Sequence, residues 1–283
     1  MSRWSAIGIT LALLACSGIA GATPAPATRS GGLIMQRFHA GLAQADCDDA
    51  STRWRLHYAH SATQLAENAA ALAMFGYVLD AVRDAGLPSE FALIPFVESQ
   101  YRADARSLGG PAGLWQFTAR TARHHGMRVH GAVDQRMSPV SSTRAAVKYL
   151  ARLHRMFGRD WQRTTMAYNA GEGALRASRS YRVRRLSGIT RSYPRKLHAI
   201  ACLFDARRAD RRWQRAIERQ VPRLAAHRLP AGTYNVRRWA RQHGLDPVLV
   251  TALNPAWHSG HQDVLAPLSE PSAVGRDRPG KAH

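Results

Sequence analysis

Residues Leu93 to Tyr101 read LIPFVESQY, the end of a longer run that begins at Ser89 as SEFA. Six of these nine residues are apolar or aromatic, and Glu98 is their one carboxylate. No Lys or Arg falls between Arg83 and Arg102 to neutralise it locally. On a helix, Phe91, Ile94 and Glu98 stand at i, i+3 and i+7 and share one face. That spacing points the carboxyl where apolar side chains point, and Pro95 is placed to kink the helix and re-aim its end. Burial disfavours the charged form, so such a carboxyl has a raised pKa and can deliver a proton near neutral pH. Taken alone, the stretch also fits a helix-end Glu that is solvated or paired with Arg102.

Helical spacing governs the rest of the chain, and strand alternation is scarce. Leu65, Leu72, Leu79 and Val82 recur at helical intervals from Ala62 to Gly86. Gly86 closes that helix, and Pro88 with Ser89 opens the next. Ser141 to Phe157 reads as a further helix, stopped by Gly158. Others start at Thr164, at Tyr193 with Pro194 as the opener, and at Arg207. Between Arg102 and Pro139 the chain is rich in Gly, Ser and His and reads as a loop with short helical turns. After Pro230, Val236–His243 and Pro247–Leu253 form two short helices around Gly244. The tail from Ser259 is polar and proline-containing, the composition of a disordered segment.

The 283 residues suffice for one large domain or one domain and a small module. A hydrophobic fraction of 45% allows a core, and the net charge of +21 favours polyanionic partners. The excess is almost all Arg spread along the chain, so it reads either as compositional bias or as a binding face. At the start, Arg3 and the apolar run Ile7–Ala15, too short to span a bilayer, form an export signal. Two exits are open: cleavage after Ala22 in IAGAT, or lipidation of Cys16 in LLAC. Either leaves Cys47 and Cys202 as an even pair in an oxidising compartment, as a bridge or as two buried thiols. His124 and His125 lack the spacing of a metal site, so no metal is expected.

The segments that follow Glu98 carry a resemblance. Glu98-Ser99, Ser107, GLWQF at Gly113–Phe117 and AYNAG at Ala167–Gly171 occur in order. Together they resemble the soluble lytic transglycosylase family of the lysozyme superfamily, in particular its membrane-bound type D branch, over roughly 81–204. The resemblance implies a mainly α, lysozyme-like domain with a Gly-rich substrate loop. It also implies cleavage of the bond between N-acetylmuramic acid and N-acetylglucosamine in peptidoglycan, with no cofactor. In that chemistry Glu98 protonates the bridging oxygen, then takes the C6 hydroxyl proton as a 1,6-anhydromuramoyl end forms. Ser107 would hydrogen-bond the catalytic carboxyl. Gln116, Tyr168, Asn169 and Tyr193 would line the groove, and Gly113 would let the backbone approach the glycan. For Trp115 both a core anchor and sugar stacking are open. Two departures stand out: Thr118-Ala119 replaces Met-Pro after WQF, and DQRMS puts Ser138 where the DxRxD segment has its second acid.

The expected division is a signal at 1–22, an extension at 23–60, and the lysozyme-like domain at 61–206. A basic connecting helix at 207–229, a small LysM-like or packing module at 230–258 and a disordered tail at 259–283 follow. The expected location is the periplasm, with outer-membrane attachment if Cys16 is lipidated. Rival readings are a hydrolase on the same fold and a non-catalytic binder of cell-wall glycan. A charge-driven nucleic-acid binder would betray itself by steep salt dependence.

Overall fold

The computed structural model describes residues 27–178, 186–259 and 261–268. The expected export signal, Cys16 and most of the expected tail lie outside the described residues. The chain is mostly helical. It begins with β1 (Thr28–Ser30) and α1 (Gly31–His39), followed by α2 (Thr52–Glu67) and α3 (Ala69–Asp84). The central elements are α4 (Ile94–Ser99), α5 (Ala119–His124), the short pair β2 (Val129–His130) and β3 (Val133–Asp134), α6 (Pro139–Met156), α7 (Trp161–Ala170), α8 (Glu172–Ala177) and α9 (Gly188–Ala206). Then come α10 (Arg211–Glu218), β4 (Gln220–Pro222), β5 (Leu224–Arg228), α11 (Val236–Gln242), α12 (Pro247–Leu253) and β6 (Asp263–Pro267).

The apolar periodicity between Ala62 and Gly86 belongs to two helices rather than one. Asn68 leaves the helical region, its side chain accepts from the amide of Ala71, and α2 and α3 meet at a 99° bend. Asn is a strong N-cap because its side-chain oxygen satisfies a free amide of the first turn. Similarly, Ser89–Leu93 is a 3-10 turn that passes into α4, with Pro95 in the first turn, where its missing N–H is not needed. The helix around Tyr193 starts earlier than expected. Ser187 caps it through Thr190, and Pro194 is interior.

The core extends into the expected extension. Ile34 and Phe38 of α1 are fully buried, and residue 61 falls inside α2, so 31–60 is part of the helical body. The rings of Phe38, Phe75, Phe96 and Phe204 meet at centroid distances of 5.6 to 6.2 Å and join α1, α3, α4 and α9. β1 closes on β4 in antiparallel register, Thr28 against Pro222. Cys47 and Cys202 form a disulfide with Cα atoms 5.6 Å apart, tying the α1–α2 connection to α9.

The expected connecting helix and tail are also revised at the C-terminus. The 207–229 segment holds α10 and two strands, β4 and β5. Residues 263–267 are β6, which pairs antiparallel with β5, Leu224 against Pro267 through Arg228 against Asp263. The module is therefore β-α-α-β. Val264, Leu265 and Ala266 are buried, which three consecutive apolar residues in a polar tail did not reveal. Asn254 locks it: its side chain donates to Val250 and Leu265 carbonyls and accepts the Leu265 amide.

Candidate active site

Glu98 sits near the end of α4, and the chain around it explains why the end is fixed. Gln100 terminates the helix in the left-handed region, φ 50°. The Ser99 hydroxyl donates to the Pro95 carbonyl and, at 2.8 Å, to the Leu114 carbonyl of the following loop. The loop is itself held by Arg136. Its buried guanidinium pairs with Asp134 and donates to the carbonyls of Gly110 and Phe117 at 2.8 and 3.1 Å. Trp115 is fully buried and donates to Thr143, so its core reading holds.

Gly113 has a different role from the one expected. It adopts φ +78°, and a Cβ placed there would lie 1.7 Å from the Arg136 carbonyl oxygen. The close approach that demands glycine is to the protein's own backbone.

Glu98, Ser107, Gln116, Thr118, Tyr168 and Asn169 line one open cavity of about 370 Å³. Of the residues that line it, Glu98 is the one acid. Its carboxylate accepts a 2.6 Å hydrogen bond from the hydroxyl of buried Tyr193, which reaches up from α9. The Ser107 hydroxyl makes no hydrogen bond to Glu98. It donates to Gln116 at 2.8 Å, and the Gln116 amide donates to the Ala105 and Gly113 carbonyls. Ser107 thus orients Gln116, and Tyr193 takes the position expected of the serine. The Tyr168 hydroxyl donates to the Trp115 carbonyl, and Asn169 accepts from Thr190. Thr118 lines the wall and caps α5 through the Thr121 amide, a role for which a small hydroxyl suffices.

The electrostatics favour a proton on Glu98 above the ordinary carboxylate range. Burial raises its pKa, while the Tyr193 hydrogen bond and the charge of Lys196 pull it back. Lys196 was not foreseen, because local sequence showed no cation. It lies three residues after Tyr193 on α9, and its ammonium rests 4.6 Å from the centroid of Trp54. Burial, then the neighbouring Glu98 charge, pushes Tyr58 up to about 12 and Tyr168 and Tyr193 well above the usual phenol value. All three stay protonated, and Tyr193 stays a donor.

The other acids near the cavity are committed or distant. Glu172 pairs with Arg152, which holds its pKa below the usual range. Asp104 does not line the cavity. Sequence reading missed Lys196, Tyr58, Arg136 and the fully buried Glu90. For Arg136 the DQRMS segment held a signal, since an Arg two residues after an Asp can close on it. Among the described residues no group of His, Cys, Asp and Glu could hold a metal, and His125 instead stacks 4.2 Å from Tyr149.

Residues 80–186 match the family described as the transglycosylase SLT domain. Membrane-bound lytic murein transglycosylase D of Escherichia coli K12 is 37% identical over 99 residues, 35% of this chain and 22% of that protein. The peptidoglycan transglycosylase gp16 of Escherichia phage T7 is 41% identical over 83 residues, 29% of this chain and 6% of its own length. The chain therefore spans less than a quarter of either relative. Among solved structures, an inactive mutant of the lytic transglycosylase Slt of Pseudomonas aeruginosa superposes with a TM-score of 0.38 at 24% identity, over 47% of this chain and 24% of that one. Over residues 80–186, which hold the ordered motifs around Glu98, the chain is thus similar to the transglycosylase SLT domain family.

Proposed function

We propose that the protein is an exported lytic transglycosylase that cuts the bond between N-acetylmuramic acid and N-acetylglucosamine in peptidoglycan. One observation carries this reading: a single carboxyl, raised by burial and steadied by a tyrosine hydroxyl, faces an open cavity in which no second acid accompanies it. Glycoside hydrolysis ordinarily needs two carboxylates flanking the bond. A reaction in which the sugar supplies its own nucleophile needs one. Protonated Glu98 would donate to the bridging oxygen as the glycosidic bond breaks. The muramoyl acetamido group would assist at C1. Ionised Glu98 would then take the C6 hydroxyl proton as O6 bonds to C1, which closes the 1,6-anhydro ring and restores the acid. A pKa lifted toward the working pH suits both steps, and Tyr193 steadies the ionised form between them.

Gln116, Tyr168 and Asn169 are proposed as the sugar-contacting wall, with Ser107 positioning Gln116. The export signal and the Cys47–Cys202 bridge support an oxidising, periplasmic location, with outer-membrane attachment if Cys16 is lipidated. The test is mass spectrometry of sacculi digested with the full chain. Fragments ending in 1,6-anhydromuramic acid are expected, each one water lighter than the hydrolysed equivalent. Reducing muramic ends would make the protein a hydrolase, and no fragments at all would leave it a binder.

A further inference from the structure

A second groove lies on the other side of α4. Its larger part, about 590 Å³, is lined by Gln64, Asn68, Phe96, Gln100 and Arg102. A smaller part, about 260 Å³, shares Asn68, Gln100 and Arg102 and runs on to Pro255, just beyond α12. Gln100 opens onto this groove and buried Phe96 borders it, whereas Glu98, between them in sequence, lines the catalytic cavity.

Three features mark it as more than a crevice. Gln100 is exposed and occupies the left-handed position that ends α4, φ 50°, where glycine is the default residue. Tyr101 follows at φ 62°, buried, with its hydroxyl bonded to the Ala92 carbonyl. The backbone there is held in a conformation unfavourable for both residues, a condition that gathers at functional sites. Second, among the described residues the side-chain amides of Gln64 and Gln100 and the guanidinium of Arg102 make no hydrogen bond, although each borders the groove. Third, the lining is close to neutral in a chain of net charge +21. Its charged residues are Arg102 and Asp104, of opposite sign and without an ion pair between them, and Glu67, already paired with Arg212.

Resting on the transglycosylase reading, we propose that this groove binds a run of N-acetylated sugars, a glycan strand held outside the catalytic cavity and guided toward the β-α-α-β module. Carboxamides both donate and accept, which matches sugar hydroxyl and acetamido groups. A near-neutral lining suits a sugar run better than an acidic stem peptide, which would call for a cluster of unpaired cations.

The probe is the N-acetylglucosamine hexamer, titrated into the full-length Glu98→Gln protein while NMR follows the side-chain amides of Gln64, Asn68 and Gln100. All three signals are expected to shift with one affinity. Adding Gln100→Gly should weaken the hexamer about fivefold or more at Gln64 and Asn68, the loss expected of one hydrogen bond. Because glycine relieves the left-handed backbone, its melting temperature should hold or rise, so a folding defect cannot explain weaker binding. Arg102→Gln should weaken it less. Unmoved amide signals, or equal affinity in Gln100→Gly, would overturn the inference. Shifts produced by a free stem peptide and not by the hexamer would overturn it too, by naming a different occupant. Cleavage of sacculi by the wild-type chain is scored separately. If cleavage occurs and these signals stay still, only the groove inference fails; if cleavage is absent, the transglycosylase reading fails first.

Discussion

Glu90 and Glu98 lie at opposite ends of one short helical run, and burial raises the pKa of both. Their surroundings differ. Glu90 is wholly buried and accepts the amides of Ala43 and Gln44 at 2.9 to 3.1 Å. It staples the α1–α2 connection to the core beside the Cys47–Cys202 bridge. Glu98 receives one tyrosine hydroxyl, and its remaining acceptor capacity is turned toward a cavity. A buried carboxyl whose lone pairs are used by backbone amides is structural. One left with unused capacity at a cavity is available for chemistry. A raised pKa alone does not separate the two.

The sharpest way to break this contrast is to remove each acid in turn. Glu98→Gln keeps shape and an acceptor for Tyr193, so the protein should fold while sacculus cleavage falls by about a hundredfold or more, the scale of losing a general acid. A variant that still cleaves would take Glu98 out of the reaction. Glu90→Ala should do the reverse. It leaves the amides of Ala43 and Gln44 without their acceptor and opens a void at a fully buried position, so urea denaturation should show a loss of about 2–4 kcal/mol. Cleavage per folded molecule should stay near wild type at a temperature where the variant remains folded. If activity fell as far as in Glu98→Gln with stability intact, the division of roles would be wrong.

Tyr193→Phe probes the bond that distinguishes Glu98, with an expected effect of about tenfold on cleavage at neutral pH. The hydroxyl favours the ionised carboxyl, so losing it raises the Glu98 pKa further. The pH above which cleavage falls, as Glu98 loses the proton it must donate, should move upward, which a pH–rate profile reads. A purely structural role for Tyr193 would lower the rate and leave the profile where it was.

The smallest effect is a pH signature in stability. Glu98 has a folded pKa above its unfolded value, so the folded state binds more protons across that interval. Stability therefore falls as pH rises from the unfolded value of about 4.3 to the folded one, and levels off above. Glu98→Gln removes that loss. Its melting temperature should exceed wild type at neutral pH, with the gain fading as the pH drops below about 4. A gain that is flat with pH would mean that the substitution acts through packing and not through the buried charge.

Much of this architecture was readable in advance. The helical periodicity, the stops at Gly86 and Gly158 and the three ordered motifs all act over a few residues, where backbone preference and side-chain spacing are local properties. Glu98, Gln116, Tyr168 and Asn169 could be named because short motifs flank them, and the structure brings them to one cavity. Asn68 caps α3 at a 99° corner that the apolar repeat running through it masked. The strands β5 and β6 were not legible, since each is five residues long and gains its pairing only from the other, 35 or more residues away in sequence.

By itself the sequence determined a helical chain, a lone acid on an apolar face and a glycine-rich loop after it. Only the tertiary structure decided what surrounds that acid. Tyr193 and Lys196 come from a helix almost a hundred residues later, and they give Glu98 its hydrogen bond and its nearest influential cation. It also decided that Gly113 yields to the Arg136 carbonyl, that Ser107 serves Gln116, and that Glu90 is a staple. The physical reason is range. Periodicity and capping are set by neighbours in the chain, whereas a carboxyl's proton affinity depends on burial, hydrogen bonds and charges that folding brings within a few ångströms.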